Sequence, residues 1–122
     1  MIELPEYTDG AFKLLRIEED TTTDFPQKKL ADTGMLFWYR ELSVYDRLRY
    51  EFEQGQKEIT MKIRIPQYKG IDSMCACEID ENIHQVYNAT HVRDKNGFSE
   101  TELTLIRPEK EIKIAHEKRR IK

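Results

Sequence analysis

The stretch Glu58–Pro66, Glu-Ile-Thr-Met-Lys-Ile-Arg-Ile-Pro, decides the fold class. Apolar and polar side chains alternate along it, so an extended backbone places Ile59, Met61, Ile63 and Ile65 on one face and Thr60, Lys62 and Arg64 on the other. That is a strand half buried in a core. Working outward, Ala11–Ile17 after the Asp9-Gly10 turn signal predicts a first strand, and Met35–Leu42 predicts a second. The second contains the single tryptophan, Trp38, whose large apolar body predicts the centre of the core. Between them, Glu18–Gly34 is rich in turn formers without periodicity and predicts a long loop of the functional or mobile kind.

Residues 43–57 are ambiguous. Leu48, Tyr50 and Phe52 alternate as in a strand, whereas Val44, Leu48 and Phe52 recur every four residues as on a helix. The ends favour a helix over 44–54. Ser43 is a good N-cap with Asp46 three residues on, Gly55 can close the helix in the left-handed conformation, and Arg47/Glu51 and Arg49/Glu53 fall at i, i+4 spacing. A hairpin turning at Gly55 is the competitor.

Downstream, Ser73–Ile79 and Ile83–Lys95 read as strands around the polar turn Asp80-Glu81-Asn82, and Asn96-Gly97 is the clearest turn signal in the chain. A two-residue type I′ turn there sets Lys95 against Phe98, Arg93 against Glu100 and His91 against Glu102. Thr101, Leu103 and Leu105 then point inward with Val92 and Thr90. The whole reads as mainly β, a small antiparallel β-barrel or sandwich of five to six strands with one short helix, in a domain over 1–108.

With 122 residues, 35 % charged and 39 % hydrophobic, one thin core is available, and neighbouring subunits would add to its stability. The beginning of the chain has neither a basic start nor an apolar run, and no segment approaches the roughly eighteen apolar residues of a membrane span, which predicts no membrane partner and a cytosol-like compartment. The net charge of −3 is uneven: residues 1–42 carry five basic and nine acidic groups, whereas residues 109–122 carry six and three. Nothing forms the dense basic face that neutralises a phosphate backbone. The last fourteen residues read as a charged, flexible C-terminal tail.

Candidate chemistry is sparse. Cys75 and Cys77 share a strand face and His84 on the next strand could approach them, but structural zinc sites use four ligands with pairs spaced by two or more residues. A disulfide between them is disfavoured, since residues two apart on a strand sit roughly 6–7 Å apart, near or beyond the bridging limit. His84, His91 and His116 lack a supporting nucleophile motif, and there is no Gly-rich phosphate loop. The expectation is no enzyme, no cofactor and no metal.

The order of pieces carries a resemblance. A first strand, a loop, a Trp-bearing strand ending in Leu42-Ser43, a helix with acidic and aromatic residues, the strand Ile59–Ile65, and then Ile79-Asp80-Glu81-Asn82-Ile83-His84-Gln85-Val86 before a last strand together resemble the phage head–tail joining (head closure) family over roughly residues 10–108. Arg64 matches the arginine at the end of that family's strand, while His84 and Val86 stand where Tyr and Ile are common. The resemblance implies a viral structural protein, assembled in the host cytoplasm into the head–tail connector of the virion. There it would form a homo-oligomeric ring, dodecameric or hexameric, below the portal, retain packaged DNA and dock the tail. Its partners would be itself, portal or adaptor proteins and tail proteins, with DNA passing through the channel without sequence-specific binding. An acidic subunit suits such a passage. Contacts between subunits and neighbours are expected from the segments least constrained by the barrel, at Thr21, Asp24 and Phe25 in the loop and at Val44, Tyr45, Arg47, Arg49, Glu51 and Glu53 in the helix. The alternative is a small β-barrel adaptor for a protein or peptide partner, using an exposed strand edge.

Overall fold

A computed structural model describes residues 5–21 and 27–120, with the backbone alone for Arg120. Six strands, β1 (Gly10–Asp20), β2 (Gln27–Leu42), β3 (Ile59–Pro66), β4 (Cys75–Ile79), β5 (Asn82–Arg93) and β6 (Ser99–Ile106), are joined by helix α1 (Asp46–Gln54) between β2 and β3 and followed by helix α2 (Lys110–Arg120). The strands close on themselves in the order β1-β2-β3-β6-β5-β4, every pair antiparallel, with β4 returning to β1. The protein is thus a small mainly-β domain built on a closed ring of strands. Strands β4, β5 and β6 are linked by hairpins and β3 lies beside β6, which is a Greek-key arrangement.

The alternation read in Glu58–Pro66 is what fills the barrel. Ile63 and Ile65 are buried among Phe12, Leu14, Tyr39, Ile71, Cys75, Cys77, Ile79, Val86, Leu103 and Leu105, while Met61 packs at the margin. Phe12 stacks on Phe37 with ring centroids 5.3 Å apart, and Phe37 meets Tyr68 at 5.2 Å. Thr101, Leu103 and Leu105 are buried as expected. A second apolar layer lies on the outside of the sheet, where Leu15, Ile17, Leu30, Ala76 and Ile83 are covered by Ile112 and Ala115 of α2. This corrects the expected flexible tail: residues 110–120 form a helix that buries Ile112, Ala115 and His116. Three apolar side chains among many charges read as a solvated segment by composition, but Ile112 and Ala115 share one helical face three residues apart and the sheet offers a matching apolar surface.

Trp38 is not the centre of the core; it is 59 % exposed. A strand can turn only one of its two alternating sets inward, and in β2 the set is Met35, Phe37 and Tyr39. The pairing Phe12↔Phe37 and Ala11↔Trp38 selects it. The expected loop over Glu18–Gly34 is also largely strand, since β1 runs to Asp20 and β2 begins at Gln27, so Leu30 sits in the outer layer. The turn formers Asp32-Thr33-Gly34 make a bulge instead. Gly34 takes φ +77°, its N–H donates to Asp32 Oδ1 at 2.8 Å, and Thr33 Oγ1 donates to the Leu14 carbonyl at 2.8 Å.

The hairpin at Asn96-Gly97 differs by one residue from the expected register. Asp94 pairs with Phe98 around three loop residues, Gly97 holds φ +81°, and Asp94 Oδ1 accepts from the N–H groups of Asn96 and Phe98 at 2.9 and 2.8 Å. This is a three-residue turn with a left-handed glycine, stabilised by an aspartate that the dipeptide alone does not reveal. Arg93 consequently faces Ser99, His91 faces Thr101, Val92 faces Glu100 and Thr90 faces Glu102. Thr90 is exposed and Val92 only half buried, so neither joins the interior as expected.

Candidate functional site

Helix α1 is the outlier of the fold. It has no buried residue and no side-chain N-cap bond, for the capping position is Tyr45 in extended conformation rather than Ser43. Its C-terminal end also departs from expectation. Gly55 has φ −90°, and the left-handed residue is Gln56 at φ +61°, with Gln56 N–H on the Glu53 carbonyl and Lys57 N–H on the Phe52 carbonyl, both at 2.9 Å. That is a Schellman closure one residue later than the glycine. A nine-residue helix is marginal in water and needs tertiary contacts. Here these come from its inner side. Phe52 meets Tyr87 of β5 edge-on at 4.8 Å, and Arg49 Nη1 donates to the Ile59 carbonyl at 3.1 Å, so Arg49 serves the barrel and not the expected pair with Glu53. Arg47 and Glu51 do meet, Nε to Oε1 at 3.3 Å, both well exposed.

Of the other residues expected at contacts, Val44 is half buried, Tyr45 and Glu53 are exposed, and Thr21 is exposed just beyond β1. Asp24 and Phe25 lie outside the described residues. The stripe of α1 opposite Leu48 and Phe52 carries Asp46, Tyr50 and Glu53, spaced i, i+4, i+7. Tyr50 is 63 % exposed.

A second exposed apolar surface lies on β2, where Leu36 and Trp38 share the outward face at 58 % and 59 % exposure. Lys13 of β1, also exposed, stands directly opposite Leu36, and Ala11 opposite Trp38. Farther along this outer face α2 covers the strands, and Arg119 reaches Asp32 at 3.8 Å and Glu78 at 3.4 Å, pinning the helix. Among the described residues none covers the pair Leu36/Trp38. Sequence reasoning placed Trp38 inside; the missed signal is that Phe37 and Tyr39 offer an equally bulky set in the other phase.

The charged residues on β2, β3 and β6 form a separate feature. Glu100 is fully buried, accepting from Tyr7 Oη at 2.8 Å and from Arg40 Nη2 at 3.1 Å on both oxygens, with Arg64 Nη1 at 3.4 Å. Arg64 also donates through Nε and Nη2 to Glu102 Oε1 at 3.2 and 3.1 Å, and Lys62 approaches Glu102 at 3.4 Å. Burial, then the bond to Glu100, pushes the Tyr7 hydroxyl well above its ordinary pKa. A cleft of about 410 Å³ opens above Arg40 and Arg64, bounded by Pro5, Glu6, Asp94, Lys95 and Asn96. Both arginines face carboxylates, which braces the barrel, although Arg40 Nε is buried without a hydrogen-bond partner among the described residues.

Of the two thiols only Cys77 faces His84 across β4 and β5, whereas Cys75 pairs with Arg16 of β1. Yet both cysteines are buried and free, and burial raises both thiols; for Cys77 the neighbouring Cys75 adds to it. Thiolate character is thereby suppressed. His84 Nδ1 sits 2.8 Å from Thr60 Oγ1, and burial lowers its pKa. Among the described residues no group of three or more His, Cys, Asp or Glu side chains is placed to hold a metal ion. What the surface offers is contact: an outlying helix with an acidic, aromatic outer stripe, and a strand face with two large apolar side chains beside a lysine. No protein-family model matches this chain, and no curated protein matches it in sequence.

Proposed function

We propose that this protein is a non-enzymatic structural component of a phage head–tail connector, forming a ring below the portal that retains packaged DNA and docks the tail. The observation that carries the reading is α1: a helix inserted between two barrel strands that buries none of its own residues and presents Tyr45 and Tyr50 outward. Such an element contributes little to the monomer's core and is available for contacts with neighbouring subunits. The order of segments that resembles head–tail joining proteins supports the same reading, as does the net charge of −3, which disfavours tight binding to a duplex passing through the ring. The test is incubation of the purified protein with isolated portal assemblies, followed by pull-down and electron microscopy. A ring of density below the portal is the expected result; absence of binding refutes the proposal.

A second reading, a barrel adaptor for a protein or peptide, draws on β2. This strand has sixteen residues, of which only Arg40, Glu41 and Leu42 pair with β3. Part of its edge is thereby open to strand addition. That adaptor would bind an extended peptide as a monomer and ignore portal assemblies.

A further inference from the structure

We infer that two copies of this protein dock head to tail, the α1 stripe Asp46–Tyr50–Glu53 of one copy lying on the Leu36–Trp38 face of β2 in the next. The inference rests on the ring reading above and deepens it by naming the two surfaces. Both are exposed and both are apolar at the centre: Tyr50 on the helix, Leu36 and Trp38 on the strand. Asp46 and Glu53 flank Tyr50, whereas Lys13 stands across from Leu36 in the β1–β2 register; Glu78, on the other side of Lys13, is itself engaged by Arg119 at 3.4 Å, which leaves the lysine to answer the helix carboxylates. Asp46 and Glu53 lie seven residues apart, about 10 Å along the helix axis, so a helix crossing the strand with Tyr50 near Trp38 brings one carboxylate toward Lys13. Exposed aromatic residues with a polar rim are the usual anchors of protein contacts.

A molecule cannot satisfy these surfaces by itself. The inner side of α1 is fixed through Phe52 on Tyr87 and Arg49 on the Ile59 carbonyl, while Asp46, Tyr50 and Glu53 stay exposed. Because one chain carries both surfaces, another copy of it is the partner that matches them. Because donor and acceptor surfaces differ, the contact is heterologous, and each copy offers one of each; such contacts propagate until the rotation closes a ring. One small patch gives a weak contact in solution, strengthened when neighbours are held together on a template.

Trp38 is the single tryptophan, so its emission reports the contact directly. Raising the concentration from about 1 μM to about 1 mM should shift the emission to shorter wavelength in step with association seen by sedimentation velocity. Asp46→Lys with Glu53→Lys, checked by circular dichroism to retain the fold, should weaken association about tenfold or more, as should Lys13→Glu. Combining the three substitutions should restore it. The decisive mixture pairs a Trp38→Ala copy, which keeps its helix stripe, with an Asp46→Lys/Glu53→Lys copy, which keeps its strand face. Each alone should stay monomeric at a concentration where the wild type associates, and together they should form a dimer that cannot grow. Association with unchanged Trp38 emission, a mixture that stays monomeric, or a wild-type protein that remains monomeric throughout overturns the inference. Rings on portal assemblies that are unaffected by Trp38→Ala also overturn it while leaving the connector reading intact; failure of the wild-type protein to bind portals removes the connector reading instead.

Discussion

Glu100 offers the sharpest test of how this thin-cored barrel is held together. Its carboxylate is fully buried, whereas its partners Arg40 and Arg64 keep 34 % and 24 % of their side chains accessible. Removing one partner of a buried pair costs about 3–5 kcal/mol when the remaining charge is stranded. Arg40→Met strands Glu100 only in part, because Arg64 at 3.4 Å and the Tyr7 hydroxyl at 2.8 Å remain, so about 2–3 kcal/mol is expected. Glu100→Gln keeps the volume and leaves two arginines that reach water, one of them still bound to Glu102, so the expected cost is about 1–2 kcal/mol. For a domain of this length the entropy of unfolding is roughly 0.26 kcal/mol per kelvin, which turns Arg40→Met into a drop of about 10 °C in Tm. Urea unfolding followed by circular dichroism, on both single variants and the double, measures these costs and their coupling. A coupling above about 1 kcal/mol separates the pair from ordinary surface ion pairs. If Glu100→Gln proves costlier than Arg40→Met, or both cost under about 0.5 kcal/mol, the argument from asymmetric burial is wrong.

Further outcomes follow from the same contacts. Ile112→Ala removes the buried anchor of α2 and should cost about 2–4 kcal/mol by denaturant unfolding, whereas a flexible tail would give no change. Gln56→Gly places glycine where the helix closes at φ +61° and should stabilise by about 1 kcal/mol; a destabilised variant would contradict the Schellman closure. His84 has its pKa lowered by burial, so the folded state resists protonation more than the unfolded one. Its stabilising contribution is complete above the unfolded value of 6.5 and is lost as pH falls through the lowered folded value. Thermal unfolding below pH 6.5 should thus show a decline that His84→Asn lessens, and an NMR titration placing His84 at or above that value would refute it. Tyr7 behaves in the opposite sense: its raised pKa makes its share of stability complete below the unfolded value of 10.0 and lost as pH climbs beyond, a dependence that Tyr7→Phe should reduce in alkaline unfolding.

Legibility along the chain followed the nature of each signal. The strand at Ile59–Pro66 was plain because its polar phase, Thr60-Lys62-Arg64, cannot enter a core, so period two has a single solution. Met35–Leu42 has no such asymmetry. Phe37 and Tyr39 in one phase compete with Leu36 and Trp38 in the other, and volume alone favours tryptophan. Pairing with Phe12 of β1 settled the phase, and with it one of the two surfaces proposed to meet between copies. The spacing over 43–57 fits strand and helix alike, and the helix was legible from its capping residues and i, i+4 charge pairs, although both ends are displaced by a residue or two from the caps that seemed best.

By itself the sequence determined that the chain is a mainly-β domain of antiparallel strands with a helix before Gly55, because alternation and turn chemistry are local properties carried by neighbouring residues. Tertiary structure alone decided the register at Asp94–Phe98, the outward face of Trp38, the docking of α2 and the partners of Glu100. Each of these depends on which side chain from a distant segment occupies a given volume or satisfies a given charge, and such pairings leave no periodic trace in the chain.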